Sequence, residues 1–246
     1  MISESELDTR IDDLCGNLSS YNKLAIGAYR LDSPVCHFHI KTIKRLKSHK
    51  DFKSVFEDEV FFDYLYATLV AWNMDSQRAK LCGFEQFIKT IRNSRQQIVE
   101  LNKHSLKSLI HEDAEASGRF AQVVERINTV LSSLRVSGTK SWLVANTKAL
   151  HHVLPELIPP VDRKYTLKFF FDSTSVKKDE KSNNQFFEVL VQYLYIYNLV
   201  ADEVENMVDE NSFNSSSTKV IDNAIIGYWI DHKSRLSQTT GDTNVS

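Results

Sequence analysis

Apolar residues recur along most of this chain at intervals of three and four. Phe120, Val123, Val124, Ile127, Val130, Leu131 and Leu134 follow the spacing of an amphipathic helix, with Ser117 placed to cap its start. Phe62, Leu65, Tyr66 and Leu69 form a second stripe, and Phe84, Phe87, Ile88 and Ile91 a third after the breaker Cys82-Gly83. Val220, Ile221, Ala224, Ile225 and Tyr228 repeat the pattern after the polar stretch Asn211 to Thr218, which reads as a loop, as does Ser173 to Asn184. No segment alternates apolar and polar residues over a strand length, so the fold class expected is all-α. The expected organisation is a single globular multi-helix domain over 1–236, with a variant in which two helical lobes flank a cleft near 138–171. Residues 237–246 have the composition of a disordered tail.

The most apolar run, Phe186 to Val200, is broken by Glu188, Gln192 and Asn198 and falls short of the roughly 20 residues of a membrane span. It predicts a buried core helix and no membrane partner. A length of 246 residues buries enough surface to fold without metal or disulfide staples. Three dispersed cysteines, Cys15, Cys36 and Cys82, suit a reducing cytoplasm better than a secreted disulfide framework. The polar, acidic start MISESELDTRIDDL lacks the features of a signal peptide, so a cytoplasmic location is expected. A net charge of -2 gives no global attraction to nucleic acid, so an anionic partner must be held by a local patch. Seven glycines, and no phosphate loop, nucleophile elbow, His-Glu-x-x-His helix or kinase signature, argue against nucleotide-driven or classical hydrolase chemistry and imply no cofactor.

The richest chemistry lies in GTKSWLVANTKALHHVLPELIPPVDRKYTLKFFF, beginning at Gly138. Thr147 is placed to cap a short helix from Lys148 to Leu154. Pro155 and the pair Pro159-Pro160 then force an extended connection, and Asp162 is placed to cap a helix through Phe171. Capped helix starts beside Lys140, Lys148, Arg163, Lys164 and Lys168 suit an anion such as phosphate.

The order glycine, lysine at a helix start, apolar helix, proline and then Val161-Asp162 resembles the helix-hairpin-helix DNA glycosylase superfamily, over about one seventh of the chain. The stretch Thr147-Lys148-Ala149-Leu150-His151 through Asp162 is also similar to segments of uncharacterised bacterial helical proteins, a likeness that implies no function. The glycosylase resemblance implies DNA or RNA as partner and a base flipped into a pocket. Asp162 would stabilise positive charge on the sugar, and a hairpin lysine would be a candidate Schiff-base nucleophile. Lys148 and Lys140 both remain candidates for that lysine, fourteen and twenty-two positions before Asp162. Trp142 and Tyr165, with Trp72, are the candidate stacking rings. Three scattered cysteines cannot supply the four-cysteine iron–sulfur cluster of some members, so no metal is expected there.

Elsewhere, the run Lys41, Lys44, Arg45, Lys47, Lys50, Lys53 is the densest basic patch and a second candidate for phosphate contact, with Lys44 and Arg45 at its centre. Cys36-His37-Phe38-His39 holds ligand-type residues without a second pair at zinc spacing. Glu57, Asp58, Glu59 and Asp63 read as a solvated helix start. His151 and His152 are adjacent, which predicts one in the core and one at the surface. Two functions follow: a nucleic-acid-binding helical protein with base-excision chemistry, and a non-catalytic helical module that binds another protein.

Overall fold

The computed structural model describes residues 2–241 except 31, 75, 77, 78, 115–117, 140, 141 and 179. Its helices are α1 (Glu4–Gly16), α2 (Leu18–Tyr29), α3 (Pro34–Lys47), α4 (Glu59–Ala71), α5 (Phe84–Asn93), α6 (Arg95–Leu101), α7 (Leu106–Ala114), α8 (Arg119–Ser133), α9 (Leu143–Val153), α10 (Thr166–Phe171), α11 (Glu180–Met207) and α12 (Ser217–Gly241), with a short 3₁₀ turn at Phe52–Glu57. No strand occurs among the described residues. The expected stripes form α4, α5, α8 and α12, and their apolar faces meet in one core, so the chain is a single helical domain. No helix among the described residues is long and apolar enough to cross a membrane.

Local chemistry sets the helix ends. Ser33 accepts from the Cys36 amide and is followed by Pro34, whose fixed φ suits a first helical position. Asp58 accepts from the Val60 amide at the start of α4, and its carboxylate also takes Arg45 at 2.6 Å and His49 at 2.8 Å. α4 ends at Trp72, after which Asn73 turns the chain in the left-handed region at φ 62°, where asparagine is among the better tolerated side chains. α11 is kinked at Val200, whose φ of -133° leaves the helical region.

α2 lies against α12 across Gly227, where a Cβ atom would fall inside the Tyr21 carbonyl. α9 is the central helix: every residue from Ala145 to Val153 is buried. Two expectations about loops change. The expected loop Ser173 to Asn184 is shorter than its polar composition suggests, because residues 180–184 form the first turn of α11. The stretch Asn211 to Thr218 is a loop only as far as Ser216, and its residues from Phe213 onward are buried beneath α4 and α9 side chains instead of solvated. Residues 237–241 of the expected disordered tail continue α12, which carries on to Gly241; Ser117 and residues 242–246 lie outside the described residues.

Candidate functional site

A helix buried on all sides cannot carry unpaired polar groups cheaply, because each costs about 1–3 kcal/mol. α9 nevertheless buries Asn146, Thr147, Lys148, His151 and His152; the surrounding structure answers most of their polar atoms and leaves Asn146 Oδ1 and His151 Nε2 without a hydrogen-bond partner among the described residues. Asn146 donates to the carbonyls of Leu131 and Leu134 at 2.7 and 3.1 Å, pinning α9 to the end of α8. Thr147 lies within α9, not at its cap: the helix begins a turn earlier, and the Thr147 hydroxyl accepts from the Val161 amide. This bond holds the proline-rigid connection against α9 and brings Asp162 back over the helix that carries Lys148.

The Lys148 ammonium then meets the Asp162 carboxylate at 3.1 Å. The other Asp162 oxygen accepts from the amides of Lys164 and Tyr165, so Asp162 closes the turn before α10; it does not cap that helix as its sequence position suggests, because α10 starts only at Thr166, with Tyr165 at its N-cap and no side-chain cap. Burial alone would raise its pKa. The charge and hydrogen bond of Lys148 and the two amides outweigh burial and hold it below the usual carboxylate range. Asp162 is therefore an anion at neutral pH.

This pair lines a cavity of about 220 Å³ shared with Tyr29, Trp72, Tyr165 and Phe213. A second pair shares the wall. Lys219, on the first turn of α12, is fully buried and donates to Asp222 at 2.5 Å and to Asn223 at 2.8 Å. Its ammonium also lies 4.2 Å from the centre of the Phe213 ring, and both Lys219 and Lys148 lie over the Trp72 indole, at 5.2 and 5.6 Å. Burial lowers the Lys219 pKa and raises that of Asp222, and in each case the partner's charge opposes the shift. The cavity thus presents aromatic faces flanked by two ammonium–carboxylate pairs, a setting for a flat polar ring.

Three histidines brace the pocket from behind. His152 Nδ1 lies 2.7 Å from the Lys148 carbonyl, which can only accept, so that nitrogen donates and Nε2 is free to accept. His39 Nδ1 donates to this Nε2 at 2.9 Å, and the Ser215 hydroxyl donates to His39 Nε2 at 2.8 Å. The His39 ring stacks on Trp72 with centroids 5.7 Å apart. Burial lowers the pKa of all three histidines, that of His152 to about 4, so the relay is neutral. The expectation of one core and one surface histidine fails, because α9 is covered on every face and both His151 and His152 are buried.

The sequence-derived candidates divide by position. Lys148, Asp162 and Tyr165 line the cavity, with Arg163 and Lys164 exposed at the adjoining turn. Trp142 does not line it; it precedes α9 and packs against the core, and Trp72 supplies the indole. Lys168 lies over Trp229, 5.1 Å from the ring centre, away from the cavity. Lys44 and Arg45 belong to α3, where Arg45 is bound to Asp58, and neither lines the cavity. Lys140 lies outside the described residues. Among the described residues no group of three histidine, cysteine, aspartate or glutamate side chains is placed to hold a metal ion.

Sequence reasoning misses Lys219, Asp222, Asn223, Phe213 and Tyr29. A readable signal exists: Lys219, Asp222 and Asn223 interrupt the apolar repeat of α12 on its first turns, and charged residues placed so within a buried helix must pair or bind. The fold and site together define an all-helical protein with an aromatic pocket whose wall carries two ammonium–carboxylate pairs. No family model, curated protein or solved structure matches the chain.

Proposed function

We propose that the protein binds nucleic acid and receives one extruded base in the cavity against Trp72, with Asp162 beside the sugar. The observation that carries this reading is the Lys148–Asp162 ion pair in the wall of an aromatic cavity, next to the exposed basic residues Arg163 and Lys164. A volume of about 220 Å³ lies below the ~300–1,000 Å³ of drug-sized ligand pockets and suits a single heterocycle. The face of Trp72 away from His39 offers a stacking surface, and the ammonium and carboxylate groups offer donors and acceptors for a ring edge.

In a base-excision reaction, which the resemblance to the helix-hairpin-helix glycosylases suggests, the ionised Asp162 would stabilise positive charge on the sugar as the base departs. The ion pair engages Lys148 as a cation, which supports a role in holding Asp162 and the base over one as nucleophile. One observation favours the non-catalytic alternative: both Asp162 oxygens are already engaged, by Lys148 and by the amides of Lys164 and Tyr165, as in a purely structural bridge.

The test is binding to single-stranded and duplex DNA and RNA as salt is raised. Binding through phosphates predicts affinity that falls steeply with salt, and a Trp72→Ala variant that binds more weakly. Absent binding, or binding indifferent to Trp72, overturns the proposal. Oligonucleotides carrying damaged bases then separate the two versions: release of a base by the parent protein and not by Asp162→Asn supports excision.

A further inference from the structure

A second cavity, of about 510 Å³, adjoins the first and shares Asn73 and Asp162 with it. Asp162 and Asn73, the latter in a left-handed turn, thus lie where the two chambers meet. The chambers differ in chemistry. The inner one is aromatic, and its two ammonium groups are both paired with carboxylates. The outer one sets Ser76, Ser137, Arg163, Lys164 and Thr174 beside apolar residues such as Met74 and Val176, and its one described carboxylate, Asp162, is already bound to Lys148. Arg163 donates through Nε to the Thr174 carbonyl at 2.8 Å, which anchors the guanidinium at the cavity wall while its terminal amino groups make no hydrogen bond to a described residue. Lys164 has no carboxylate partner among the described residues, and its ammonium lies 5.1 Å over the ring of Tyr165, which lines the inner chamber.

We infer that the outer chamber is a phosphate subsite and that the composite site takes a nucleotide: ring inside against Trp72, sugar over Asp162, phosphate outside on Arg163 and Lys164. This rests on the base-binding reading of the inner chamber and adds to it the group that flanks the base. The order of chambers matches the order of parts in a nucleotide. An aromatic chamber takes the ring. A carboxylate where the chambers meet suits sugar hydroxyls, or positive charge on the sugar. A forked guanidinium and an ammonium suit phosphate oxygens. The phosphate comes either from a free mononucleotide or from the backbone of a nucleic acid.

Calorimetric titration separates these cases with four probes: nucleosides, the corresponding nucleoside 5′-monophosphates, inorganic phosphate, and a short single-stranded oligonucleotide. The expected result is a monophosphate bound about tenfold or more tighter than its nucleoside, the gain of charge-assisted hydrogen bonds. In R163Q/K164Q that preference should collapse toward equality. Lys164→Gln alone breaks no hydrogen bond made by a side chain of the described residues, so it reports in the same direction even if the double variant is less stable. Equal binding of nucleoside and monophosphate, or a preference untouched by both variants, overturns the phosphate subsite and leaves the base pocket standing. Binding of the monophosphate but not the oligonucleotide keeps the subsite and overturns the nucleic-acid reading. No binding by any probe overturns both.

Discussion

Lys148 and Asp162, fourteen residues apart in the chain, meet at 3.1 Å because Thr147 accepts the Val161 amide and folds the proline connection back onto α9. The lysine side chain is 8% exposed and the aspartate 29%, so the two sites respond unequally to substitution. Asp162→Asn leaves a buried ammonium without its counterion and is expected to cost about 2–4 kcal/mol of stability. Lys148→Met leaves an aspartate that still accepts from two amides and should cost less. Chemical denaturation of both single variants and the double variant checks this. The double variant should lose less than the sum of the singles, and strict additivity would show that the pair carries no coupling.

Trp72 carries the contact between pocket and histidine relay, stacking on His39 and receiving both ammonium groups. Trp72→Ala should weaken oligonucleotide binding by about 1–3 kcal/mol, the usual worth of one stacked base. Trp72→Phe, which keeps a ring face, should retain most of it. Fluorescence anisotropy with a labelled oligonucleotide reads both, and equal losses in the two variants would count against stacking.

Two glycines of the paired helices α2 and α12 should answer oppositely to alanine. A Cβ on Gly227 would collide with the backbone carbonyl of Tyr21, whereas one on Gly27 meets open space. Gly227→Ala should therefore lower stability by about 3 kcal/mol, the upper end of overpacking, because backbone cannot swing aside as a side chain can. Gly27→Ala should raise it by about 0.5–1 kcal/mol through helix propensity. Thermal melts of the two variants give the comparison.

The buried histidines impose a pH dependence. In the folded protein burial holds His152 neutral down to about pH 4, while in the unfolded chain it titrates near 6.5. Between those values the unfolded state binds more protons, so acid favours unfolding. The stability His152 contributes is complete above about pH 6.5 and is lost as pH falls toward 4, on the order of 3 kcal/mol from this residue. His39 and His151, also lowered, add in the same direction. Denaturation midpoints from pH 7.5 to 4.5 should decline, and the decline should be shallower in His152→Gln. A flat profile in the parent would contradict a neutral relay.

The repeats at three and four residues are enough to read the helices, because an apolar stripe at helical spacing must be buried and only a helix places it on one face. Phe120 to Leu134 matches α8, Phe84 to Ile91 matches α5, and Phe186 to Val200 lies within α11. That Asp162 binds amides just after it is legible for an equally local reason, although those amides belong to a turn and α10 starts later, at Thr166. The pocket is not legible in this way. In sequence Lys148 reads as a basic residue at a helix start and nothing singles out Lys219, yet both are buried in one cavity wall built from elements distant in sequence. Periodicity reports which face of a helix avoids water. It cannot report a helix such as α9 that is enclosed on every side and whose polar residues find most of their partners on elements distant in sequence, nor which distant side chains those partners are.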